Sequence, residues 1–172
     1  MDIRDLLVDC IKQLGDWTED ALKELSAEQI NFLPEGRTTS IGFSAWHVYR
    51  TADNITNFVI QQKPPVWIAE DYVTRMGLPK VAQGTGMGLD DARGITIADP
   101  AMLLEYGNKV LGNVMEYIKA TSLAELEPIQ LIKPLGEMPR WRVFRQVVMT
   151  HGFMHLGEIN ALRGMMGLSF SI

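Results

Sequence analysis

The chain carries three histidines, His47, His151 and His155, and two of them stand four residues apart in the stretch THGFMHLGEI at residues 150–159. Histidines at i and i+4 lie one turn apart on the same face of a helix, so both imidazoles can reach one ion. The neighbouring sequence repeats apolar residues at helical spacing. At about 100° per residue, Phe144, Val148, His151, His155, Ile159 and Leu162 fall on one arc of the helical wheel. Glu158 follows one heptad after His151 and returns to nearly the same side. A stripe expected to face a core therefore carries three groups with lone pairs to give.

Burying an imidazole or a carboxylate without partners costs several kcal/mol. Each must be hydrogen-bonded, open to a cleft or bound to a metal, and a metal would answer all three at once. The H-x-x-x-H spacing alone fits two hydrogen-bonded or surface histidines as well as a ligand pair. The third histidine adds context: His47 also falls on an expected helix, beside the polar residues Ser44, Thr51 and Asn54. Three protein ligands leave positions for water or substrate, the arrangement of a catalytic zinc site rather than a closed structural one. HGFMH lacks the glutamate that zincins place after the first histidine, and the chain lacks the paired E-x-x-H sequences of di-iron bundles.

Four helical segments must position these residues. Ile3, Leu6, Leu7, Cys10, Ile11, Leu14, Trp17, Ala21, Leu22 and Leu25 give a first amphipathic helix over residues 2–25. SAEQ at 26–29 matches a capping box for a short extra turn, closed by Pro34-Glu35-Gly36. Ser40 is the expected N-cap of a second helix, whose stripe of Ile41, Ala45, Val48, Ala52, Ile55, Phe58 and Val59 runs to Pro64-Pro65. Asp99-Pro100 starts a third, with Leu103, Leu104, Val110, Leu111, Val114, Met115 and Ile118 on its apolar side. Pro139 is placed in the first turn of a fourth, which ends before Gly167. Residues 64–98 read as a long, glycine-rich connection with one short helix near Trp67 to Arg75, and no segment shows sustained strand alternation.

The expected fold class is all-α: a four-helix bundle running up-down-down-up, with a long crossover between helices 2 and 3. The 172 residues, 47% of them hydrophobic, suit a single domain over 1–172. MDIRDLLVDC has acids where a signal peptide needs a basic start, and no run is long enough to span a membrane, so the expected location is the cytoplasm, away from membranes. A net charge of −5 with scattered basic residues argues against a nucleic-acid partner. The lone Cys10 reads as a buried, inert thiol, and the four tryptophans and ten methionines read as packing residues. A homodimer through leftover apolar surface on the first or fourth helix is left open.

SAWHVYRTADN around His47, the third helix with Tyr106, and THGFMHLGEINALRGMMG at 150–167 together resemble the DinB-like superfamily, small bacterial four-helix bundles. The resemblance spans nearly the whole chain and includes the GTGMG segment before the third helix. It implies a divalent metal ion, zinc or nickel foremost, on His47, His151 and His155. Glu158 stands where relatives usually carry glutamine. Three roles remain open for this candidate catalytic residue: a fourth ligand, a hydrogen-bond partner of a ligand, or a proton acceptor near bound water. The second is favoured, because the family's glutamine works without charge.

Some relatives are thiol-dependent enzymes, namely bacillithiol transferases and a mycothiol-dependent maleylpyruvate isomerase. An ion on three neutral imidazoles could hold a thiol as thiolate at neutral pH, so no catalytic cysteine is required. The resemblance thus implies a metal-dependent enzyme that activates a thiol or water, acting on a small-molecule substrate with a low-molecular-weight thiol as cosubstrate. Arg50 and Arg163 could meet an acidic thiol, although an exposed helix face accounts for both. The alternative is a non-catalytic stress-linked or interaction protein with a structural metal or a metal-free polar core.

Overall fold

The structure is a computed structural model and describes residues 1–171. The helix signals in the sequence are local, and most of them operate where they stand. Asp2 caps α1 (Ile3–Leu22) in a reciprocal box with Asp5, and Ser26 and Gln29 do the same for the single turn α2 (Ala27–Ile30). The hydroxyl of Ser40 accepts from the Phe43 N–H at the start of α3 (Ile41–Asp53), which continues as a π-helical stretch through Asn54–Ile60. Asp99 accepts from the N–H groups of Ala101 and Met102, with Pro100 at the first position of the helix.

The connection expected to hold one short helix holds three: α4 (Val66–Ala69), α5 (Tyr72–Met76) and α6 (Leu89–Arg93). Asp71, with φ of 55°, and Gly77 interrupt what would otherwise be one segment. Next come the long α7 (Pro100–Ala120) and the capped turn α8 (Leu123–Leu126).

A second difference follows. Strand β1 (Ile129–Ile132) pairs antiparallel with β2 (Gly136–Pro139), Ile129 opposite Pro139 and Ile132 opposite Gly136. The protein is therefore mostly helical, consistent with the expected all-α class, with a small two-stranded sheet that the sequence did not announce. Pro139 ends β2 instead of sitting in a helix, and α9 (Arg140–Val143) starts after it, passing through a π-helical stretch, Phe144–Thr150, into α10 (His151–Met165).

Contacts close a ring: α1 packs on α7, α7 on α3, α3 on α10, and α10 on α1. Inside lie Ile11, Leu14, Trp46, Tyr49, Tyr106, Val110, Phe144 and Ile159, each at most 1% exposed. A Cβ on Gly152 would stand 2.3 Å from a Leu14 methyl. The missing side chain thus lets α10 approach α1 beside His151. Not every residue of the expected stripes is inside: Phe58, on the π-helical stretch, is 60% exposed, and Cys10 is only half-buried. Among the described residues no helix is long and apolar enough to cross a membrane.

Candidate metal centre

Helix α3 places His47 in its middle turns, 8% exposed, with its ring stacked on Phe43 at 5.8 Å. The Nδ1–H donates to the backbone carbonyl of Gln83 at 2.5 Å. That bond fixes the tautomer, leaving the lone pair on Nε2. The loop can come this close because residue 84 is glycine: its φ is +100°, and a Cβ there would lie 2.5 Å from His47 Nδ1.

The other two histidines stand at the start of α10, where the π-helical stretch ends. His151 Nε2 lies 3.1 Å from His47 Nε2 and 3.1 Å from His155 Nε2. His155 Nδ1–H donates to Glu158 Oε2 at 2.7 Å, which again directs the Nε2 lone pair toward the cluster. His151 Nδ1 is buried without a hydrogen-bond partner.

The structure therefore brings together all three histidines that the sequence singles out. Their ligand nitrogens lie within 4.8 Å of one another and could hold a metal ion. Glu158 is not in the core: its side chain is 57% exposed and reaches back from the rim to His155.

The hydrogen-bond inventory tests whether an ion fits. His47 and His155 both have their N–H engaged at Nδ1, so both present lone pairs at Nε2. His151 Nε2 sits between them and, even if protonated, can donate to only one. Protein groups alone leave at least one lone pair facing another nitrogen, and a cation relieves that. Two imidazoles about 2.0–2.1 Å from a tetrahedral ion stand roughly 3.3 Å apart, close to the 3.1 Å separations found.

Burial sets the charge state. Desolvation holds the His151 pKa down to about 4, assisted by the neighbouring His155 and His47, and holds His47 below the usual histidine value. Both are neutral at pH 7, the state in which imidazole ligates. Glu158 is held below the usual carboxylate value, chiefly by its hydrogen bond with His155.

The sequence reading missed a second polar cluster on the same helix. Asp53 is fully buried and accepts from Asn57 Nδ2 at 2.8 Å, the N–H groups of Val66 and Trp67 at 2.9 Å each, and the Tyr106 hydroxyl at 2.8 Å. Arg50, expected on an exposed face, is 3% exposed, 3.9 Å from Asp53 and 4.8 Å above the Trp67 ring. Arg163 instead donates to the carbonyls of Ala21 and Ser169 at the end of α10. Asp53 falls off the apolar stripe that the sequence defines, so no local signal marked it, and nothing in the residue types pointed to the Gln83 carbonyl.

A cavity of about 500 Å³ adjoins the cluster, with His151 in its wall beside Thr51, Asn54 and Gln83. The β1–β2 hairpin covers one side.

Comparison with known proteins gives the family and the fold. A family model described as the DinB superfamily matches residues 11–159, and the chain belongs to that superfamily. A solved structure, described as a conserved protein from Enterococcus faecalis, superposes with a TM-score of 0.85 over 97% of this chain and 99% of its own. At 16% identity, that likeness speaks to the fold alone. No curated protein matches.

Proposed function

We propose that this member of the DinB superfamily holds a divalent ion, zinc or nickel, on the Nε2 atoms of His47, His151 and His155, and is a metal-dependent enzyme acting on a small molecule. One observation carries the reading: three imidazoles converge through Nε2 while two of them are locked at Nδ1 by Gln83 and Glu158. An ion with an open position would lower the pKa of a bound thiol or water, supplying a nucleophile near neutral pH.

The chain's own residues do the rest. Gln83 and Glu158 hold two rings in the ligating tautomer, and Phe43 keeps the His47 ring from rotating. Glu158, ionised and half open to solvent, can also take up a proton released at the rim. The cavity on His151 gives a substrate room, which favours the catalytic reading over a structural metal. In the same reading the chain is a single domain whose long helical segments run up-down-down-up, residues 64–98 crossing between the two parallel members.

Mass-spectrometric metal analysis of tag-free protein, with thermal unfolding in Zn2+ and Ni2+, tests the centre. About one ion per chain and a Tm that rises with either metal are expected, and protein with no bound ion and an unresponsive Tm would refute it. Turnover of an electrophile with a panel of low-molecular-weight thiols then tests the enzyme, and metal without turnover would favour the structural role.

A further inference from the structure

The cavity beside His151 has walls from three separate parts of the chain: the end of α3 with its π-helical extension, the Gln83–Thr85 loop, and the β1–β2 hairpin. A volume of about 500 Å³ suits a small molecule. Ile55, Val59, Val147 and the hairpin residues Leu131 and Leu135 make most of the lining apolar. Leu131 and Leu135 still leave about half of their surface exposed, at 51% and 52%. A ligand would cover apolar area that the protein alone leaves to water.

The lining contains one charged side chain, Lys133, at the hairpin turn. It forms no ion pair among the described residues. In a chain of net charge −5, the cavity thus offers a cation against the overall sign. Lys133 is exposed at the turn, so an anion would meet it at the mouth of the cavity, with the apolar lining behind.

We propose that this cavity binds a small anion with an apolar body and is the substrate pocket of the histidine centre. The carboxylate, sulfonate or phosphate end meets Lys133, and the apolar body lies between Ile55, Val59, Leu131 and Leu135. The word substrate rests on the metal reading above; the binding site does not.

The test uses ligand-observed NMR with phenylbutyrate and its neutral isostere phenylbutyramide, on full-length protein with and without added Zn2+. Wild type should bind the acid about tenfold more tightly than the amide, a difference of about 1.4 kcal/mol. Lys133→Ala should bring that ratio to about one and leave amide binding unchanged. Val59→Trp should remove both by filling the cavity, with the helical circular-dichroism signal as the folding check and Leu135→Trp on the exposed hairpin as the second filling variant. Absence of binding by either probe, or binding that ignores Lys133→Ala and both tryptophan variants, would overturn the proposal. Selective, Lys133-dependent binding by protein that takes up no metal supports the pocket and overturns only the metal reading. Stoichiometric metal without probe binding does the reverse.

Discussion

Helix α3 carries two polar clusters less than two turns apart, and they differ in whether the protein completes them. Around Asp53 each carboxylate oxygen has two donors within hydrogen-bond reach, so the carboxylate itself is complete, while Arg50 supplies the compensating charge from 3.9 Å with its Nε and Nη1 left without hydrogen-bond partners. Around His47 the opposite holds: three imidazole nitrogens face one another with too few protons among them. A buried polar group that is fully satisfied needs nothing from outside and acts as a fastener. An unsatisfied set of lone pairs, held in place by satisfied bonds behind it, calls for a cation. Burial alone does not separate structure from function here, whereas the donor count does.

The largest effect expected from this contrast lies at Asp53. Asp53→Ala leaves Arg50 buried without its counter-charge and removes the acceptor for Tyr106 and for the first N–H groups of α4. Breaking a buried ion pair by removing one partner costs about 3–5 kcal/mol. Urea unfolding of metal-free protein should show a loss of that size, undiminished by Zn2+ when expressed relative to zinc-loaded wild type. A loss below about 0.5 kcal/mol, the level of ordinary surface changes, would show that the cluster is not a fastener.

His151→Ala should behave inversely. It removes the nitrogen that stands 3.1 Å from both of its neighbours, so metal affinity should fall at least about 100-fold, beyond the 10–100-fold typical of losing a group that supports a ligand. Metal-free stability should change much less than for Asp53→Ala, because the imidazole removed belongs to no ion pair and its Nδ1 has no hydrogen-bond partner to lose. Titration calorimetry and urea unfolding on the same preparation separate the two effects. Equal stability losses at Asp53 and His151 would erase the contrast.

The same contrast explains which parts of the molecule the sequence announced. Ser40, Ser26 and Asp99-Pro100 cap helices through bonds only two or three residues long, so they are legible locally. The histidine cluster was legible because two of its imidazoles lie on one helix face and no other histidine competes for the third place. Asp53 was not, since its donors come from Val66, Trp67 and Tyr106, distant in sequence and meeting only after folding. Gln83 acts through a backbone carbonyl, which any residue supplies. The β1–β2 strands have four residues each, too few for alternation to stand out.

Smaller effects test the groups behind the ligands. Gly84→Ala puts a methyl against His47 Nδ1 in a backbone region that disfavours side chains. The loop must retreat and surrender the Gln83 bond, so metal affinity should fall about tenfold, with little change in the helical signal. Glu158→Gln keeps an acceptor for His155 but removes the charge, and a loss of only a few-fold, about threefold to tenfold, is expected. If Gly84→Ala bound metal like wild type, the Gln83 bond would not be holding the centre.

A last effect lies in the pH dependence of the metal-free protein. His151 titrates near 4 and His47 below the ordinary value when folded, whereas both take up protons near 6.5 once unfolded. Between those limits the unfolded chain binds more protons, so stability falls as pH drops from about 6.5 toward 4 and loses no more from these groups below that. The urea midpoint should decline across this window by an amount on the order of 1 M, and His151→Ala should flatten the decline. Saturating Zn2+ adds stability at neutral pH and steepens the decline, because protons and the ion compete for the same nitrogens. A wild-type curve that is flat through this window would mean that the imidazoles pass between water and the fold without cost, and the unsatisfied cluster would then be no more buried than a surface pair.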